Sequence, residues 1–171
     1  KATRASRYKS DFLANMSQEK RKKIRQERRK VAEAGVIFKV RQGNDITEAD
    51  WDFFYHCYER TYLEHGNPPY FNRAFYASMS ADMAEDWVLF IAEQGGQPIA
   101  SSLIAINASI TRARDKQSVS HYVSRDTPET ADSKSQTATR QPDRVAYGRY
   151  WGALKRVDCL HFEACYYQPL Q

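Results

Sequence analysis

The run Trp87-Val88-Leu89-Phe90-Ile91-Ala92 constrains the fold more than any other stretch of this chain. Six consecutive apolar residues give a strand no polar face, so both of its surfaces have to be covered. Gly95-Gly96 follows, and then a second strand-like run from Pro98 to Asn107, which together signal a tight two-residue hairpin. Val36 to Arg41 reads as an earlier strand and Val145 to Ala153 as a later one. Covering such a sheet on two sides requires helices, and the rest of the chain supplies them.

Ser17 caps a run from Gln18 to Ala34 that stops at Gly35. Its apolar positions are few, with Ile24 and Val31 as anchors, so it buries only a narrow stripe. Thr47 and Asp50 form a capping-box start for a second helix, on which Trp51, Phe54, Tyr55, Tyr58 and Tyr62 recur at helical spacing. Gly66-Asn67-Pro68-Pro69 ends that helix, and Asn72 caps a third running to about Asp82, with Phe75, Met79 and Met83 on one side. The aromatic stripes read as core rather than a ligand box, and His56 and His65 as structural. Residues 109 to 144 are polar and low in complexity. They read as a long insertion or mobile loop, a short polar hairpin being the alternative.

At 171 residues the chain has the size of one domain. It starts at Lys1 without a targeting pattern and reads as a piece of a longer protein. No stretch approaches the roughly 20 apolar residues that span a bilayer. With Cys57, Cys159 and Cys165 odd in number and lacking a C-x-x-C pair, the expectation is reduced thiols in a cytoplasmic protein. Charge is uneven. Residues 1 to 41 hold 14 Lys or Arg against 4 Asp or Glu, whereas the remainder holds 12 against 17. Arg21, Lys22, Arg25, Arg28 and Arg29 of the first helix are therefore candidate anion-binding residues, an internally paired or solvated face being the alternative.

Two segments carry candidate chemistry. In Tyr147-Gly148-Arg149-Tyr150-Trp151-Gly152, strict alternation puts Tyr147, Arg149 and Trp151 on one face and Gly148, Tyr150 and Gly152 on the other. Two glycines in a strand mark a bulge or the close approach of a ligand or another backbone. An Arg between aromatics suits an anion, and a twisted edge with a surface Arg is the plainer reading. In Leu160 to Tyr167, the opening of a helix, His161 and Cys165 share a face, but the spacing matches no zinc site and the other ligands are missing. Nothing recognisable activates either thiol as a nucleophile. Glu163 is a candidate general base or favourable charge at a helix start. No phosphate-binding glycine loop, nucleophile elbow or H-E-x-x-H is present.

Several of these residues recur together in one family. Asp11-Phe12-Leu13, Arg28-Arg29-Lys30-Val31, Trp51-x-x-Phe54-Tyr55 and Tyr58-x-x-Thr61-Tyr62 resemble the FemAB-like proteins of peptidoglycan biosynthesis. So do Tyr147 to Gly152 and His161-Phe162-Glu163-x-x-Tyr166-Tyr167, the most specific matches. The resemblance implies a GNAT-type acyl-CoA N-acyltransferase fold, whose order of strand, two helices, hairpin, strand and helix fits the first half of such a domain. The expected fold is therefore α/β (α+β): a mixed, mostly antiparallel sheet with helices on its faces. It would be a single truncated GNAT-like domain over 1–171 whose C-terminal part is missing, with 109–144 inserted.

The resemblance further implies an N-acyl or aminoacyl transferase with acyl-CoA or aminoacyl-tRNA as donor and a peptidoglycan precursor as acceptor. Glu163, His161 and Tyr150 would be catalytic. Tyr147, Gly148, Arg149, Trp151, Gly152, Tyr166 and Tyr167 would bind substrate, and the basic helix would hold an anionic small molecule, cell-wall precursor or tRNA. The chain departs from the GNAT pattern in Leu154 to Leu160, where the pyrophosphate loop has glycines and this sequence has none. A non-catalytic module for a cell-wall precursor, or an RNA-binding domain, are the rival readings.

Overall fold

The computed structural model describes residues 13–106 and 145–170, with Arg149 described in its backbone alone. The expectations for 109–144 lie outside the described residues. Four strands form one antiparallel sheet in the order β1-β2-β3-β4: β1 Val36–Gln42, β2 Trp87–Gln94, β3 Gln97–Ile106 and β4 Ala146–Ala153. Helix α1 (Gln18–Glu33) precedes the sheet, while α2 (Glu48–Glu64) and α3 (Arg73–Asp82) lie between β1 and β2. After β4 comes a single turn, α4 (Leu160–Phe162), which runs into a π turn over Glu163–Tyr167. This is the antiparallel α+β arrangement expected.

Local chemistry sets the element ends as the sequence indicates. The Lys20 amide donates to Ser17 Oγ at 3.4 Å, and Thr47 and Asp50 close a reciprocal capping box. The Phe75 amide donates to Asn72 Oδ1 at 2.9 Å. Gly95 and Gly96 both take positive φ (60° and 78°), as the tight β2–β3 turn requires.

Both faces of β2 are covered. On one face Leu89, Ile91 and Leu103 pack with Trp51, Phe54 and Tyr58 of α2 and Tyr76 of α3. On the other, Ala92, Ala100 and Val36 pack with Val31 of α1 and Leu160 of α4. The aromatic stripe of α2 is thus core, as read from its spacing, and His56 and His65 are exposed.

One expectation for Tyr147 to Gly152 needs correction. Strict alternation fails, because the β3–β4 register shifts: Leu103 lies opposite Tyr150, yet Ile104 lies opposite Gly148, leaving Arg149 as an extra residue. Cross-strand partners share a face, so Tyr147, Tyr150 and Gly152 lie on the α2 side. Gly148 and Trp151 lie on the α4 side. The bulge thereby separates Tyr147 from Trp151, which alternation would have kept together. In the described order β4 is the last strand, with β2 and β3 inside.

Candidate functional site

Beyond the bulge in β4, Tyr150 and Trp151 turn to opposite faces of the strand. Tyr150 turns its ring edge-on to Tyr58 at 5.4 Å and to Tyr76 at 5.9 Å. Beside it opens a cavity of about 590 Å³ walled by Tyr58, Tyr62, Tyr70, Phe71, Tyr150 and Trp151, with Thr61, His65 and Asn67 as its polar groups. The Phe71 amide donates to the Tyr58 hydroxyl at 3.0 Å, which ties the loop before α3 to the cavity wall. Among the described residues, no formally charged Lys, Arg, Asp or Glu lines this space.

A second cavity, about 370 Å³, lies around residues 154–160 and is lined by Arg60, Lys155, Arg156, His161 and Trp151, with Glu64 as its acid. Arg60 Nη1 donates to the Leu154 carbonyl at 3.0 Å, and its Nε pairs with Glu64 at 2.7 Å. Trp151 lines both cavities. Its ring meets His161 at 5.4 Å, and His161 in turn meets Tyr166 at 5.8 Å. Burial against these rings lowers the His161 pKa below its ordinary 6.5, favouring neutral imidazole. Although residues 154–160 contain no glycine, Cys159 takes the left-handed conformation at φ 65°, one that glycine adopts most readily.

Residues 3–114 and 136–171 match a family model described as FemAB-like, peptidoglycan biosynthesis/recognition. This chain belongs to the FemAB-like family. Its membership supports a function connected with peptidoglycan. No curated protein matches the chain.

Within this FemAB-like chain the remaining candidate residues fall into distinct settings. Glu163 is buried, and both oxygens of its carboxylate accept from Arg28 Nε at 3.1 Å. Arg28 Nη2 adds a contact at 3.1 Å and Gln168 Nε2 one at 2.7 Å. The Tyr167 hydroxyl donates to Glu27 Oε2 at 2.5 Å, and burial, reinforced by Glu27, raises its pKa strongly. These bonds tie the π turn to α1. Tyr147 and Tyr166 are exposed. A Cβ added to Gly152 would stand 2.1 Å from the Cys57 carbonyl oxygen, so the close approach there is by the α2 backbone. Gly148 has room, its nearest neighbour being Ile104 Cδ1 at 3.5 Å.

The five basic candidates on α1 divide likewise. Arg21 Nη1 donates to the carbonyls of Leu13, Ala14 and Met16, and Arg28 serves Glu163. Lys22, Arg25 and Arg29 are exposed and have no charge partner among the described residues. Sequence reasoning missed Arg60, Lys155 and Arg156. Only the fold brings Arg60, on α2, beside the two consecutive cations that follow β4. Among the described residues, no group of three or more His, Cys, Asp or Glu is arranged to hold a metal. No helix among them is long and apolar enough to cross a membrane.

Proposed function

We propose that this FemAB-like domain, on a GNAT-type fold, transfers an acyl or aminoacyl group to an amine of a peptidoglycan precursor. The observation carrying the reading is that Trp151 walls both an aromatic cavity and a cationic one, with His161 against it. Acyl-CoA and aminoacyl-tRNA both bear phosphates, and Arg60, Lys155 and Arg156 offer the charge to hold them. The donor supplies an activated carbonyl carbon. Neutral His161 accepts the proton of the acceptor amine as its nitrogen bonds to that carbon, and the imidazolium passes that proton to the departing thiolate or ribose oxygen as the carbon–sulfur or carbon–oxygen bond breaks and the amide forms. Tyr150 and Trp151 orient the acceptor. Glu163, engaged by Arg28 and Gln168, acts as a positioning residue for the turn that follows His161.

The test is turnover with labelled acyl-CoAs and charged tRNA against nucleotide- and lipid-linked muropeptides. His161→Gln should lower kcat by about 100-fold with little change in KM. Unaltered kcat in that variant removes His161 from proton transfer. Absence of product with every donor, despite precursor binding, favours the recognition reading. That second reading has its own support, since the candidate base Glu163 is held in an internal ion pair with Arg28.

A further inference from the structure

A third cavity, about 440 Å³, lies at the other end of the sheet, between α1, β1 and the π turn, and shares no lining residue with the two above. Its charged lining is Arg25, Arg28, Arg29 and Glu163, and Val31, Val36 and Phe38 make its apolar side. Glu163, the single carboxylate among the described lining residues, is already occupied by Arg28 and Gln168. That pairing neutralises a group that would repel an anion and leaves Arg25 and Arg29 without a charge partner among the described residues. Standing four residues apart on α1, these two guanidiniums are neighbours that repel each other in the free protein. A dianion between them relieves the repulsion and satisfies N–H groups that otherwise face water.

We propose that this cavity binds a phosphate monoester carried on an apolar body, with the phosphate between Arg25 and Arg29 and the body against Phe38, Val36 and Val31. The planar fork of arginine matches phosphate oxygens in pairs, and the aromatic and β-branched side gives the rest of the ligand a surface out of water. Inorganic phosphate satisfies half of that site, and an uncharged apolar molecule the other half. The inference is independent of the transferase reading, because it concerns a separate cavity and is tested by binding rather than turnover.

Isothermal titration of the chain with phenyl phosphate, inorganic phosphate and benzyl alcohol tests it. Phenyl phosphate should bind more tightly than phosphate, and benzyl alcohol should not bind. R25Q/R29Q should weaken phenyl phosphate by about 10- to 100-fold, the scale of charge-assisted hydrogen bonds, with an unchanged melting temperature. R25K/R29K, keeping charge but losing the fork, should fall between. K20Q/K30Q, cations of α1 that do not line this cavity, should bind like wild type. Co-sedimentation with phosphatidic acid vesicles, against phosphatidylcholine vesicles, separates the two sources of such a phosphate. Capture abolished by R25Q/R29Q assigns it to a lipid headgroup, and phenyl phosphate binding without capture assigns it to a soluble ester. Equal phenyl phosphate affinity in R25Q/R29Q and wild type, or binding of neither phosphate probe nor vesicle, would overturn the proposal.

Discussion

Gly152→Ala is the sharpest test of how α2 seats on the sheet. An added Cβ would lie 2.1 Å from the Cys57 carbonyl oxygen and 2.4 Å from its carbon, where ordinary contact begins at 3.4 Å. The obstacle is helix backbone and not a side-chain tip, so α2 would have to move by about 1.3 Å. A gap of that order forfeits much of the dispersion energy of the side chains beneath, and α2 carries Trp51, Phe54 and Tyr58 into the core. Over-packing costs about 1–3 kcal/mol, and this site belongs at the upper end. Loss of glycine's freedom in the unfolded chain returns about 0.4–1 kcal/mol. A net destabilisation of roughly 2–3 kcal/mol lowers Tm by about 4–12 °C for a chain of this size. Gly148→Ala is the control on the same strand, where an added Cβ meets only ordinary van der Waals contact, with a net effect within about 1 kcal/mol. Urea denaturation of both variants decides. Equal midpoints for Gly152→Ala and wild type, or equal losses in the two variants, would refute the packing argument.

Three further outcomes follow from the same geometry. Glu163→Gln removes the counter-charge of half-buried Arg28 and should cost about 2 kcal/mol, discounted from the buried-pair range because Arg28 keeps some water; R28M/E163M should be less destabilised than R28M alone, measured as a double-mutant cycle. Burial pushes the Cys57 and Cys165 thiols up to about 11, so a short N-ethylmaleimide pulse at neutral pH should label partly exposed Cys159 first, as read by mass spectrometry. His161, with its pKa lowered by burial, is neutral in folded and unfolded chains well above pH 6.5; below that the unfolded chain takes the proton first, so its contribution to stability is lost on acidification. An NMR titration should place its midpoint under 6.5 and Trp151→Ala should raise it; a wild-type midpoint at or above 6.5 would contradict the packing against Trp151.

The sequence made the elements legible because their signals are local. The caps at Ser17, Thr47 and Asn72, the glycine pair at 95–96 and the doubly apolar β2 each depend on a few neighbouring residues, and each stands where it was read. Non-local consequences were harder. A bulge at Arg149 reverses the facing of every residue on one side of it, and nothing in Tyr147 to Gly152 fixes which residue is the extra one until β3 sets the register. Glycine composition correctly flagged a bulge or a close approach, and β4 has both: the bulge adjoins Gly148 and the approach is at Gly152.

The basic helix shows why charge alone underdetermines a site. Eight cations within Gln18–Glu33 look equivalent as a string, yet Arg21 turns to nearby carbonyls while the fate of Arg28 depends on a residue 135 positions away. Arg28 meets Glu163 because α1 crosses the sheet face onto which the π turn folds, and Glu27 meets Tyr167 in the same way. The π turn adds one residue to the helical repeat, with the Gln168 amide donating to the Glu163 carbonyl at 2.9 Å, so that the Gln168 side chain returns to the Glu163 carboxylate. Converting that turn to regular α-helix would rotate Tyr167 and Gln168 by about one residue, roughly 100°, and break both ties to α1. Deleting Cys165, one residue within the turn, should therefore loosen α1 while leaving the β2–β3 hairpin intact. Hydrogen exchange should report faster amides across Gln18–Glu33 and unchanged protection in Leu89 to Ala92. Equal protection of α1 in the deletion and wild type would show that Val31 and its apolar neighbours hold the helix without the polar ties.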